Sequence, residues 1–256
     1  MRRSPAERGC PGRRQPGRVY DAVMIVRPAG DAALLITQPD HAALSRRIMD
    51  HWRPLADEPR RASILHAIGQ HDNGWREPDR DPALDREGHV ADFVRAPAEI
   101  KQPVWPRAVA RLASDPWAAA LVAQHAIAVY DRYRPDPAWA AFFAEMESVR
   151  DRLVEAAGLA LDELLPDYVF VRLGDLISLT FCTGWTDEQP YDRWRVRLDD
   201  GDRVVVAPFE FDEPELAVEV EAVELRGAPF ASAEAFRAAL GAAPGVTLAG
   251  RVVAAA

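Results

Sequence analysis

The hydrophobic spacing of this chain changes period twice, from alternation to helical spacing and back, and no other feature limits its fold as much. From Tyr20 the pattern is apolar and β-branched at Val23, Ile25 and Val26, breaks at Pro28, Gly30 and Asp31, and resumes at Leu34, Leu35 and Ile36, which predicts a β-hairpin. From Asp40 to Thr183 the apolar residues recur mainly at helical intervals. Alternation then returns in Trp194–Leu198, in Val204–Val206 beyond the turn Asp199–Asp202, and at Leu216, Val218 and Val220. A short helix over Ser232–Leu240 and an apolar run through Val252 and Val253 close the chain. The expectation is a mainly α protein, with a helical core and small β segments at the N- and C-terminal ends. Its organisation reads as a basic, disordered tail over 1–19, a β-hairpin plus helical domain over 20–186 and a small β-rich appendage over 187–256.

Within the helical stretch, Asp40 opens a helix as its cap, and Leu44, Ile48 and Trp52 share one face with His41. A second helix from about Arg60 to Asp72 carries Ile64, Leu65 and Ile68 and stops at Asn73-Gly74, so the two predict an antiparallel hairpin. Residues 76–104, rich in Asp, Pro and Arg, read as a long loop of the kind that is usually functional or disordered. Further helices are expected over Trp105–Ala113, Pro116–Tyr133, Pro137–Ala157 and Pro166–Thr183, the last three opening on a first-turn proline.

Charge removes several classes of function. Thirty-one Lys and Arg against 40 Asp and Glu leave a net charge of −9, which disfavours nucleic acid and anionic membranes as partners. No window approaches the roughly 18 consecutive apolar residues of a membrane span. Cys10 and Cys182 make no disulfide framework, and the N-terminal segment lacks the apolar core of a signal peptide, so a reducing cytoplasm is the expected compartment. Gly-rich phosphate loops, zinc-spaced cysteines and the Gly-x-Ser-x-Gly elbow are all missing from the sequence.

The histidines are what remain. All six (His41, His51, His66, His71, His89, His125) lie in the first half of the chain, and imidazole combined with carboxylate suits a divalent metal. In an antiparallel hairpin the start of the first helix lies beside the end of the second, so His41 can meet His71 and Asp72 there. His125, on a helix face with Leu121, Val122 and Val129, and Asp175, inside an apolar run, are candidates to complete the shell. A buried carboxylate at position 175 needs a partner, either a metal or Arg172 one turn earlier.

The order His41, then His71-Asp72, then a distant Asp175 resembles the metal signature of HD-domain phosphohydrolases, an all-helical fold. More specifically, ITQPDHAALS, HDNGW with Asp79 and Pro82 following, the His125 helix and GDLISL resemble a bacterial family, domain of unknown function 3891, over roughly residues 22–200. A competing register, Leu65-His66-Ala67-Ile68-Gly69, mimics the HD motif but puts alanine where the aspartate belongs. The resemblance implies an HD-domain-like helical core in which His41, His71, Asp72 and Asp175 hold one divalent ion (Mn, Fe, Co, Ni, Zn or Mg), with His125 against a second ion or the substrate. It points to a metal-dependent hydrolase of a small phosphorylated substrate; beside it, Asp72 can also orient or deprotonate the attacking water, and Arg76 and Arg172, the basic side chains nearest these ligands in sequence, are the candidates to contact phosphate. Trp75 and Asp79, just after the dyad, would belong to a substrate lid. Two other expectations stand beside it, a two-iron oxygenase-like protein and a non-catalytic metal- or ligand-binding regulatory module. Oligomeric state is not legible.

Overall fold

The computed structural model describes residues 24–255; the tail over 1–19, with Cys10, lies outside the described residues. The expected hairpin is present as β1 (Ile25–Ala29) and β2 (Ala32–Ile36), turning at Gly30 with φ 65. Helix α1 (Gln38–Asp50) follows, and its cap is Thr37, whose hydroxyl accepts from the Asp40 N–H, so Asp40 lies in the first turn rather than at the cap. A short α2 (Arg53–Ala56) leads to α3 (Arg61–Gln70), which packs on α1. The expected long loop holds 3-10 turns at Asn73–Trp75, Pro78–Arg80 and Phe93–Arg95, and it ends early because α4 spans Ala98–Ala110. That helix runs through Pro103 and Pro106, the residues that conceal its first turns from a sequence reading.

Helices α5 (Pro116–Tyr130), α6 (Ala140–Ala156) and α7 (Leu164–Thr183) complete the helical half. Buried along most of its length, α5 presents a run of alanines that lets α3, α4, α6 and α7 approach it closely. No helix of the described residues is long and apolar enough to cross a membrane.

A mainly α or all-α, HD-domain-like fold with small terminal β segments is corrected by the remainder of the chain. Strands β3 (Gln189–Tyr191), β4 (Trp194–Asp199), β5 (Arg203–Ala207) and β6 (Glu215–Arg226) are followed by α8 (Ala233–Ala242) and β7 (Gly245–Ala254). Together with the N-terminal hairpin they form one curled, seven-stranded sheet in the order β1-β2-β6-β7-β5-β4-β3. All pairs are antiparallel except β5 with β7. Strand and bridge residues amount to about 22% of the described residues, too many for minor trimmings on a helical bundle. The join between the two ends of the chain is β2 against β6, with Ala32 opposite Arg226 and Leu35 opposite Val223. Alternation discloses that a segment is a strand, but it carries no information about which distant strand it pairs with.

The sheet is not separate from the helices. Val196, Val206, Leu216, Val220 and Val252 belong to the same buried cluster as Leu44 and Ile48 of α1 and Val171, Ile177 and Phe181 of α7. On the sheet's other side Phe236 of α8 packs with Met24, Leu35, Val90 and Leu225. Helices α1 and α7 are therefore clamped between the sheet and α3 and α5, and the residues of interest lie where these helices meet.

Candidate metal centre

Four buried side chains from three helical regions converge. His41 stands one turn into α1, His71 follows the last residue of α3, Asp72 begins the turn after it, and Asp175 lies mid-way along α7. Two glycines permit this approach. A Cβ on Gly174, beside Asp175, would come within 2.6 Å of Met49 and 2.7 Å of Ser45, so α7 reaches α1 only because that residue has no side chain. A Cβ on Gly74 would fall on the Val104 carbonyl, and its absence lets the turn carrying Asp72 press against α4.

The distances are short in every direction. His41 Nε2 is 3.1 Å from both His71 Nε2 and Asp72 Oδ2, and 3.5 Å from Asp175 Oδ1. His71 Nε2 is 3.4 Å from Asp72 Oδ2 and 3.5 Å from Asp175 Oδ1. Surrounding hydrogen bonds fix which nitrogens carry protons. His71 Nδ1 donates to the Ile68 carbonyl at 2.7 Å. Ser178 Oγ donates to the Asp175 carbonyl at 3.1 Å, so its oxygen is left to accept from His41 Nδ1 at 2.9 Å. With both Nδ1 atoms committed to these partners, the two rings turn their Nε2 atoms towards each other and towards two carboxylate oxygens, all four of them acceptors unless a proton or a cation sits between them.

Four acceptors without a donor repel, and such a cluster is stable only around a positive charge. A proton is the smallest that serves. Burial alone would lower the His71 imidazolium, but the Asp72 and Asp175 carboxylates override it and push it up to about 10. Burial likewise opposes ionisation of Asp72 and Asp175, yet their histidine neighbours hold both well below the usual carboxylate range. A divalent metal fits the same space. Donors about 2.1 Å from one ion lie about 3.0–3.4 Å apart when they subtend octahedral or tetrahedral angles, close to the separations seen here. Two imidazoles and two carboxylates favour manganese, iron, cobalt, nickel or zinc over the all-oxygen shells that magnesium prefers.

The other anticipated residues divide. His125 is adjacent: its Nε2 is 3.8 Å from Asp175 Oδ2, its Nδ1 is 3.2 Å from the Tyr168 hydroxyl, and burial lowers it to about 3, so it is neutral. Arg172 ion-pairs with Asp175 Oδ2 and lines a cavity of about 290 Å³ that opens beside the cluster. Asp175 thus faces His41 and His71 with one oxygen and Arg172 and His125 with the other. Trp75 is buried in the cavity wall. Asp79 does not line the cavity; its Oδ2 accepts from the Gln38 N–H at 2.7 Å, and burial pushes the carboxyl up to about 8. Arg76 is exposed and off the cavity wall. His66, the centre of the competing register, pairs with Asp115 at 2.9 Å.

Sequence reasoning missed Ser178 and Tyr168, which orient the imidazoles, although Ser178 sits inside the quoted GDLISL run one turn after Asp175. It also missed Lys101, Trp105 and Arg132 on the cavity wall. For Lys101 a signal existed, since it is the only lysine in the chain. A family model described as "Protein of unknown function (DUF3891)" matches residues 24–227. No curated protein and no solved structure matches the chain.

Proposed function

This chain belongs to the DUF3891 family, and we propose that it is a metal-dependent hydrolase of small phosphate esters or phosphoanhydrides, built on His41, His71, Asp72 and Asp175. One observation carries the reading: two histidine lone pairs and two carboxylate oxygens, locked in orientation by Ser178 and the Ile68 carbonyl, converge in a buried cluster that opens onto a cavity. When bound, a divalent cation supplies Lewis acidity, polarising a phosphoryl oxygen and lowering the pKa of water.

The protein's own groups do the rest. Asp72 lines the cavity while also facing His41, so its carboxylate can orient a water there and take its proton. Arg172, steadied by Asp175, directs its remaining N–H groups at phosphoryl oxygens. Trp75, Trp105 and Trp185 supply apolar walls that limit water around the reacting group. His125, neutral and buried, is available as a further donor to the ion or as a hydrogen-bond partner for substrate.

The geometry supports one ion rather than two. Two metal-ligand triads can be drawn, His41-His71-Asp72 and His71-His125-Asp175, and they share His71. His71 Nδ1 is committed to Ile68, which leaves a single nitrogen for ligation. The test is to measure metal content by mass spectrometry in the purified protein and in His71→Ala and Asp72→Ala, alongside release of phosphate from a panel of phosphate esters. Near-stoichiometric transition metal in the parent and its loss in both variants is the expected result. Equal metal content in all three proteins would overturn the ligand assignment, and metal retained without phosphate release from any ester would favour a regulatory module.

A further inference from the structure

The cavity beside the metal cluster has a second cationic wall. Lys101, on α4, is 4% exposed, and its ammonium donates to the Val94 carbonyl at 2.8 Å. Its Nζ stands 5.9 Å from the ring centre of Tyr130 and 5.5 Å from that of Tyr133. Exposed Arg132, at the cavity mouth, lies over the same Tyr133 ring at 4.8 Å and donates to its hydroxyl at 3.0 Å. Among the described residues no carboxylate lies within ion-pair distance of either cation. Asp92, the acid whose field reaches Lys101, has a carboxylate oxygen occupied by the Val94 N–H at 2.7 Å. Burial consequently lowers the Lys101 ammonium. In a protein of net charge −9, a buried cation held by one carbonyl, the Tyr133 hydroxyl and two aromatic faces, with no carboxylate partner, is costly and is the exception. Arg172, the remaining cation of this cavity, is by contrast paired with Asp175.

A row of rings separates the two ends. Trp105 lies 5.7 Å from His125 on the cluster side and 5.8 Å from Tyr130 on the Lys101 side, centre to centre. The Trp105 indole N–H, moreover, is buried without an acceptor among the described residues. We infer that Lys101, with Arg132 at the mouth, receives a second oxyanion of the substrate, which is therefore a small phosphate compound whose flat apolar body carries a further carboxylate or phosphate. The inference rests on reading the metal cluster as the phosphate end. Lys101 acts in binding and discrimination, not on the reacting atoms. Of its three N–H donors one goes to the Val94 carbonyl and one is drawn to the Tyr133 hydroxyl, which leaves one for an oxyanion; the aromatic walls accept the flat body, and compounds with one anionic group leave the ammonium without a counter-charge.

The experiment uses phenylphosphonate and 4-carboxyphenylphosphonate, whose carbon–phosphorus bonds resist hydrolysis, titrated calorimetrically into the 256-residue chain with zinc and with chelator. The carboxylated probe is expected to bind about tenfold more tightly to the parent, equivalent to about 1.4 kcal/mol. Lys101→Met should bring the two probes within about twofold of each other, and Lys101→Arg should keep most of the preference. Zinc dependence of phenylphosphonate binding tests the metal reading separately, because the carboxylate preference is measured with zinc and with chelator alike. Equal affinity of the parent for both probes, or a preference that survives in Lys101→Met, overturns the inference. A second readout needs no substitution: labelling lysine with ζ-15N marks this residue alone, and its resonance should move with the carboxylated probe and not with phenylphosphonate. A resonance indifferent to both overturns the inference even if Lys101→Met fails to fold.

Discussion

At the residue scale, protons decide what the cluster can hold. Ser178 accepts from His41 Nδ1 and thereby keeps the Nε2 lone pair pointed at His71, Asp72 and Asp175. Ser178→Ala should lower metal affinity by about 10–100-fold, as loss of an orienting hydrogen bond usually does, with little change in folding; competition against a fluorescent chelator measures it, and an unchanged affinity would contradict the role. The cation-free protein should also respond to pH in a defined direction. His71 is raised from 6.5 to about 10, so the stabilisation it gives is complete below pH 6.5 and is lost as pH climbs towards 10. The melting temperature of chelator-treated protein should fall across that window, and zinc or manganese should abolish the fall, because the metal replaces the proton. His41, His71, Asp72 and Asp175 were legible in the sequence because each is a polar residue in apolar, helically spaced surroundings with a carboxylate or imidazole to spare. Ser178 was not, since one serine in a helix announces nothing until its partner is located.

Single glycines govern how the elements meet. Helix α7 lies against α1 at Gly174, where a Cβ would strike Ser45 and Met49. Gly174→Ala should cost about 1–3 kcal/mol in denaturant unfolding, the usual cost of overpacking, and should weaken metal binding more than an alanine placed at exposed Gly241, where nothing lies within 4 Å. Equal metal affinity in the two variants would show that the α1–α7 spacing does not set the site. Helix starts were readable where proline or a capping side chain stands at the first turn, as at Pro116 behind Asp115. The start of α4 was hidden because Pro103 and Pro106 sit inside the helix, where proline ordinarily ends one. Lys101 belongs to those concealed turns, which is why the second cationic wall of the cavity was overlooked.

For the whole molecule, the sheet changes what the ends of the chain do. Local spacing identified the hairpin and most later strands, yet the pairing of β2 with β6 spans almost the full chain and leaves no local trace. Its inner face buries Leu216, Val218 and Val220 in the cluster shared with α1 and α7. A chain ending at residue 186 should therefore lose cooperative thermal unfolding and expose apolar surface to a hydrophobic dye. A soluble, cooperatively melting truncation would show the helical part to be self-sufficient. The same architecture explains how so acidic a protein can bring cations into a confined cavity: α1, the turn after α3 and α7 carry His41, His71, Asp72 and Asp175, while α4 and the turn after α5 bring Lys101 and Arg132 to the cavity beside them. The most direct test of the central claim is anomalous diffraction from crystals of the metal-loaded protein, recorded on both sides of the absorption edge of the bound element. One peak at bonding distance, about 2.0–2.2 Å, from His41 Nε2, His71 Nε2, Asp72 and Asp175 is the predicted result. An absent peak in protein shown to carry the metal, or a peak held by other side chains, would contradict it.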